Sequence, residues 1–206
     1  MAAECVSDSR SIDFLKDKGV ILSCGHTNAT YQEGRIAFTG NGFQAVTHLY
    51  NVMPAMHHRD PGIIPAIFEC RPFSSIVADG IHVSYPMIKL AHRLLQGNLF
   101  LITDAVTSTE EGTYPHRFNQ DRFEMPDGTL SGSALTMLKA VKNCVLFCDI
   151  ALPEAIQMAS HTPAKMMGIE KRKGSIEVGF DADLIVFDDD FVLWKTILAG
   201  NLLYSK

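Results

Sequence analysis

Four short apolar segments recur along the first half of the chain, and each one ends in polar residues before a helix-like stretch begins. They comprise residues 19–25, 43–47, 74–78 and 99–103. Continuous apolar runs of this length are typical of strands that are buried on both faces, as in parallel sheets. Since strands that alternate with helices indicate βαβ units, the pattern predicts an α/β fold built on a parallel sheet.

The helical segments carry recognisable start and stop signals. Apolar residues from Met87 to Leu95 recur at helical spacing, with Ser84 as the predicted N-cap and Gly97 just past the end. A helix is also predicted over residues 7–18, before the first strand. Three more helices are predicted at residues 133–148, from Pro153, and at Thr162-Pro163.

Two segments depart from this alternation. Residues 105–130 are polar and contain the turn sequence Pro126-Asp-Gly, so they are expected to form a lid or to carry their own hairpin. The last thirty residues are turn-punctuated, with strands predicted at 183–187, 193–198 and 202–204 and a tight reversal at Gly200-Asn201. The expected domains are residues 1–170 and a small β domain at 171–206.

Composition narrows the class of protein. The chain has 206 residues, of which 47 % are hydrophobic and 20 % charged, and its net charge is 18 − 23 = −5. These values exclude a disordered or collagen-like chain, and the absence of a basic block argues against nucleic acid and anionic membranes as partners. Because the chain shows no signal peptide, no long apolar run and no C-x-x-C pair among its five cysteines, a cytoplasmic protein is expected.

Polar chemistry follows each of the four predicted strands. His26, His48, His82 and Asp104 stand just beyond their carboxyl ends. In a parallel α/β barrel these ends open on one face, where active sites lie. A single histidine there is commonly structural, but four such residues in register favour a site: imidazoles suit Zn²⁺ and a carboxylate suits a general base.

Two imidazoles alone would leave a metal site incomplete. A catalytic zinc normally has three protein ligands and one open position, so another ligand is required. His57 and His58 are candidates by residue type, yet their polar loop favours an exposed pair that binds no metal.

Several collinear motifs carry a resemblance to a known family. They comprise residues 25–30 (GHTNAT), 47–54 (THLYNVMP), 58–62 (HRDPG), 78–82 (ADGIH), 102–105 (ITDA), 128–133 (GTLSGS) and 179–187 (GFDADLIVF). The chain resembles the N-acetylglucosamine-6-phosphate deacetylases of the amidohydrolase superfamily. This resemblance implies the C-terminal half of a (β/α)8 TIM-type barrel, strands five to eight, followed by part of a small β-sandwich domain.

The resemblance also implies roles for individual residues. His26 and His48 match metal ligands, Asp104 matches the catalytic aspartate, and His82 matches a substrate contact that polarises the acetamide carbonyl. The remaining implied substrate contacts are Asn51, the backbone at Val52, Arg59, Leu130, Ser131 and Gly132. A guanidinium suits phosphate oxygens, and the family's arginine loop is associated with a dimer interface, so a homodimer of the complete protein is implied, in which Arg59 serves the neighbouring subunit.

Two departures from the family pattern stand out. Val52 occupies a position where the family commonly has alanine, a small change that should be tolerated. The His-x-Glu-Gly-Pro segment, whose glutamate completes the metal site, is missing, and Glu4 does not correspond to that ligand. The chain is therefore expected to represent about half of an enzyme.

The implied activity is metal-dependent removal of the acetyl group from N-acetylglucosamine 6-phosphate, with Zn²⁺ as the expected cofactor. One alternative is another hydrolase of the superfamily, such as a dihydroorotase-like or amino-acid-deacetylating enzyme, although the sugar-phosphate residues argue against it. The other alternative is a catalytically inert fragment, alone or assembled with another chain. Zinc content together with activity toward the two substrate classes would discriminate between them.

Overall fold

A computed structural model describes residues 1–6, 9–40 and 42–206 of the chain. It contains a four-stranded parallel sheet in the order β1 (Ser23–Cys24), β2 (Ala45–Val46), β3 (Phe73–Val77) and β4 (Leu99–Ile102). Each strand lies within or beside one of the four apolar segments, so the predicted parallel α/β sheet is confirmed.

Helices connect and cover these strands. They are α1 (Ser9–Asp17), α2 (Tyr31–Thr39), α3 (Ile64–Cys70), α4 (Tyr85–Leu95), α5 (Met137–Phe147), α6 (Leu152–Ala159) and α7 (His161–Met166). Ser84 is the N-cap residue of α4, and the helix ends at left-handed Gln96 just before Gly97, as predicted. The predicted start of the first helix, at Ser7, lies outside the described residues.

The long polar connection carries its own antiparallel sheet, as expected. Its strands are β5 (Arg117–Asn119), β6 (Arg122–Glu124) and β7 (Leu130–Ser133). The helix predicted at residues 133–148 is present as α5, but its predicted start is wrong, because Ser133 belongs to β7 and α5 begins only at Met137, capped by the Thr136 side chain. Ser133 pairs with residues near Asp104, and that long-range contact overrides its local resemblance to a helix cap.

The first residues of the chain extend the parallel sheet. The amino group of Met1 donates a hydrogen bond to Ser23 O at 2.8 Å, and Gly25 N donates one to Met1 O at 3.2 Å. This exchange is the pattern of neighbouring parallel strands, so Met1 lies along the outer edge of β1. The chain then enters a 3₁₀ helix at Ala3–Cys5.

The C-terminal strands form a separate antiparallel sheet of β8 (Leu184–Phe187), β9 (Leu193–Leu198) and β10 (Asn201–Ser205). Its tight turn lies one residue earlier than predicted, because Leu198 pairs with Asn201 and left-handed Ala199 and Gly200 form the reversal. Across the described parts of the chain, no helix has both the length and the apolar character needed to span a membrane.

Candidate active site

The candidate site lies at the carboxyl ends of the parallel strands. His26 follows β1, His48 follows β2 and Asp104 follows β4, and all three have left-handed backbone conformations, with φ of 48°, 34° and 50°. Such values are uncommon for residues other than glycine, and residues held in them cluster at functional sites. Three of the four residues that the sequence singled out at strand ends therefore have strained backbone conformations.

Two imidazole rings meet at this edge of the sheet. The ring centroids of His26 and His48 lie 4.7 Å apart, with an angle of 53° between the ring planes. The backbone N–H of His48 donates to Ser75 Oγ at 2.8 Å, whereas its Nδ1 is buried without a hydrogen-bond partner. A buried nitrogen without a partner beside a second imidazole fits a metal-binding pair.

The pair by itself does not make up a metal site. Within residues 1–6, 9–40 and 42–206, no three histidine, cysteine, aspartate or glutamate side chains are arranged to hold a metal ion. The two histidines thus fit two positions of a zinc site, and the third ligand has no counterpart in this part of the chain.

His82, beyond β3, is oriented by a residue that the sequence analysis missed. Its Nδ1 lies 2.5 Å from Asp79 Oδ2, while Asp79 Oδ1 accepts hydrogen bonds from the backbone N–H groups of Ile81 and His82, both at 2.8 Å. The His82 and Asp79 side chains are only 8 % and 5 % exposed. Because the carboxylate accepts the Nδ1 proton, Nε2 of His82 remains available to contact a substrate.

Electrostatics keep Asp79 in the form that orients His82. Burial opposes the charge on this carboxyl, but the hydrogen bonds from the His82 ring and from two backbone N–H groups lower its pKa below the ordinary value. Asp79 is consequently ionised at neutral pH. The signal in the sequence was an aspartate three residues before the predicted histidine, at a strand end.

The turn that carries His26 is closely packed against the neighbouring strand end. A Cβ atom at Gly25 would lie 2.8 Å from Thr47 Cβ, so this position excludes larger side chains. Thr27 N donates to Val52 O at 3.0 Å, which joins the His26 turn to the segment that follows His48. Val52 is itself left-handed, with φ of 51°, and its side chain is 62 % exposed.

The predicted phosphate contacts lie in that segment and the loop beyond it. The side-chain amide of Asn51 donates to the carbonyl oxygens of His48 and Leu49, both at 3.3 Å, so it stabilises the turn after β2. Arg59 is exposed, and its Nη1 lies 2.9 Å from His58 Nε2. His57 and His58 are exposed, as expected for a pair in a polar loop.

The predicted loop at residues 130–132 is strand β7, and pairing brings it beside Asp104. Ser133 N donates to Asp104 O at 3.0 Å, and Val106 N donates to Ser133 O at 3.2 Å. Gly132 is buried, and a Cβ there would lie 2.6 Å from Val106 Cγ2. Ser131 Oγ lies 2.9 Å from Nδ1 of His116, a residue that the sequence analysis did not single out.

Comparison with known proteins identifies the relatives of this chain. The model of the amidohydrolase family matches residues 4–203. N-acetylglucosamine-6-phosphate deacetylases from Vibrio furnissii and Danio rerio are 34 % and 33 % identical to it, over 100 % of this chain and 53 % and 54 % of their own lengths. The crystal structure of such a deacetylase from Pasteurella multocida, 33 % identical, superposes with a TM-score of 0.93 over 100 % of this chain and 56 % of its own. The chain thus spans about half the length of the curated relatives it matches.

Proposed function

We propose, from the premise that the chain belongs to the amidohydrolase family, that its complete protein deacetylates N-acetylglucosamine 6-phosphate to glucosamine 6-phosphate and acetate. The observation that carries this proposal is the ring pair of His26 and His48, with centroids 4.7 Å apart, at the ends of adjacent parallel strands. The deacetylases among its relatives support the choice of substrate.

The architecture that accompanies this function is the C-terminal half of a (β/α)8 barrel. On this proposal β1 to β4 correspond to barrel strands five to eight, and residues 1–170 form that half. Residues 171–206 are then part of a small β-sandwich domain, which the separate sheet of β8, β9 and β10 supports. The remaining barrel strands come from outside these residues.

His26 and His48 would hold a divalent metal ion, and Zn²⁺ suits their neutral imidazoles. Such a metal would supply Lewis-acid polarisation and would make the attacking water molecule more acidic. The third protein ligand, a glutamate, comes from outside this chain. The buried Nδ1 of His48, which has no partner, supports the assignment of this pair.

Asp104 is the proton-transfer residue. It accepts a proton from the water molecule that attacks the acetamide carbon, and it returns that proton to the nitrogen as the C–N bond breaks. His82, oriented by Asp79, contacts the acetamide oxygen through Nε2 and helps to polarise the carbonyl. One amide and one water are converted into one amine and one acetate.

The remaining predicted contacts bind the sugar phosphate. Asn51 and the backbone at Val52 line the turn after β2, and β7 supplies Leu130, Ser131 and Gly132 beside Asp104. Arg59 binds the phosphate group of the substrate. Its exposed position beside His58 supports the proposal that it reaches the active site of the neighbouring subunit in a homodimer.

The decisive experiment replaces Asp104 by asparagine in the complete protein. Turnover of N-acetylglucosamine 6-phosphate should fall about 10²–10⁴-fold, because the proton acceptor is lost, while metal content stays unchanged. Asp121→Asn, on the exposed hairpin of the long connection, is the matched control and should keep full turnover. Near-normal turnover in Asp104→Asn would reject the assignment.

A second candidate is that these 206 residues form a catalytically inert piece. The absence of a third metal ligand among the described residues favours it. The isolated chain would then bind zinc weakly and show no deacetylase activity, whereas stoichiometric zinc together with turnover would refute it.

A further inference from the structure

A carboxylate that the proposed reaction does not use holds the turn that carries His26. Glu4 lies in the 3₁₀ helix Ala3–Cys5, far from His26 in sequence. Its Oε1 accepts a hydrogen bond from Asn28 N at 2.6 Å, and its Oε2 accepts one from Thr27 Oγ1. The two residues that directly follow His26 are therefore tied to a single side chain.

Thr27 is the centre of this network. The residue is 2 % exposed, and its hydroxyl donates to Glu4 while accepting a hydrogen bond from Ala29 N at 3.1 Å. Its own backbone N–H donates to Val52 O at 3.0 Å. A hydroxyl group has only one proton. Because Thr27 donates that proton to Glu4, the direction of its O–H bond is fixed, and the lone pairs of the oxygen can accept the hydrogen bond from Ala29 N.

The network stabilises a backbone that is otherwise unfavourable. His26 has a left-handed conformation, which costs free energy for any residue with a Cβ atom. Burial opposes charge on Glu4, but the hydrogen bonds from Thr27 and Asn28 lower its pKa below the ordinary value, so the carboxylate is ionised at neutral pH. Hydrogen bonds to an ionised acceptor are about twice as strong as neutral ones.

We propose that Glu4 is a positioning residue for His26: its carboxylate holds Thr27 and Asn28 and thereby fixes the turn that orients the first imidazole of the metal pair. This inference rests on the proposed function, because the orientation of His26 affects metal binding only if His26 is a ligand. Groups that orient metal ligands through a second contact typically change metal affinity about 10–100-fold when they are removed.

The test is a Zn²⁺ titration of the complete protein, which supplies the third ligand, against a competing chelator. Glu4→Gln should weaken binding about 10–100-fold. Thr27→Val should weaken it similarly, and Thr27→Ser should restore it because serine keeps the hydroxyl. Glu33→Gln is the matched control: Glu33 also accepts two hydrogen bonds, from Thr30 N and Oγ1 at 2.8 Å, but it caps α2 and should leave the affinity within about twofold.

Imidazole nitrogen spectra of the complete protein without zinc separate positioning from general stability. Glu4→Gln should shift the ring signals of His26 and leave those of His82 in place, whereas Glu33→Gln should move neither. If wild type binds no zinc through His26, the proposed function fails, and unshifted His26 signals would overturn the role of Glu4 separately. If wild type binds zinc and Glu4→Gln binds as tightly as Glu33→Gln, only the positioning role is rejected.

Discussion

Asp79 and Asp188 make the same set of hydrogen bonds in two very different regions of the molecule. In each, one carboxylate oxygen accepts two backbone N–H groups, and the other lies against a ring nitrogen, His82 Nδ1 or Trp194 Nε1. Asp79 lies at the end of the parallel sheet with its side chain 5 % exposed, whereas Asp188 follows β8 in the C-terminal sheet and is only partly buried.

The difference follows from how the two sheets are packed. Ile76 in β3 and Leu101 in β4 are 0 % and 2 % exposed, while Ile185, Trp194 and Leu202 in the C-terminal sheet are 51 %, 51 % and 58 % exposed. Hydrogen bonds are stronger where water is excluded, and groups left unpaired there are more costly. The same local motif therefore orients a site residue at the parallel sheet and merely shapes a turn at the C-terminal one.

The largest expected effect comes from truncating the same residue type in both sheets. Ile76→Ala should lower the free energy of unfolding by about 2–5 kcal/mol, because it opens a cavity in a closed core. Ile185→Ala should cost less than about 1 kcal/mol, since half of that side chain is already in water. Chemical denaturation measures both, and equal losses would contradict the contrast between the sheets.

Replacing each aspartate by asparagine is expected to have the next largest effect. Asp79→Asn should cost about 1.5–3 kcal/mol at neutral pH, because the charge-assisted bond to His82 is lost inside the protein. Asp188→Asn should cost clearly less, since two of its three hydrogen bonds are exposed and water can replace them. Chemical denaturation of both variants measures the two losses of stability. A larger loss for Asp188→Asn than for Asp79→Asn would contradict the contrast between the two sheets.

The pH dependence sharpens the same comparison. The pKa of Asp79 is lowered from its ordinary value of 3.8, so the ionised carboxylate contributes stability that is fully present above that value. This contribution is lost as pH falls through the lower, folded-state pKa. The stability difference between wild type and Asp79→Asn should thus shrink below about pH 4. Unfolding curves of both proteins from pH 3 to 6 measure this difference. If it stayed constant over that range, the folded protein would not be stabilised by the ionised form of Asp79.

The smallest expected effect has the opposite sign. Ala199 has a left-handed backbone, with φ of 48°, in the turn between β9 and β10. Ala199→Gly should raise the melting temperature slightly. Glycine relieves about 1–2 kcal/mol of backbone strain, and the greater conformational entropy that it gives the unfolded chain cancels part of this gain. A lower melting temperature would show that this turn gains nothing from glycine.

Much of the fold was predictable because buried segments have a recognisable pattern of apolar residues in the local sequence. The four apolar segments, the α4 boundaries at Ser84 and Gly97, and the sheet inside the long connection all follow from periodicity and turn chemistry. Ser133 was misread because a serine before an apolar run resembles a helix cap. Its backbone instead pairs with Asp104 and Val106, a contact that no local pattern records.

The candidate site divides in the same way. His26, His48, His82 and Asp104 were found from their positions after buried strands, and the ring contact of His26 with His48 depended on the strand order that the parallel pattern implied. Asp79 was missed although it stands three residues before His82, because that spacing does not show where its carboxylate lies. His116 was missed because only the fold brings it to Ser131.

The sequence by itself determined which residues stand at strand ends, since alternating buried and polar segments dictate where each strand stops. Only the tertiary structure decided which side chains orient them. Glu4 reaches the His26 turn because Met1 pairs along β1, and Asp79 reaches His82 because the chain turns sharply at Gly80. Contacts of this kind depend on the direction of a few bonds, which residue types and spacing do not specify.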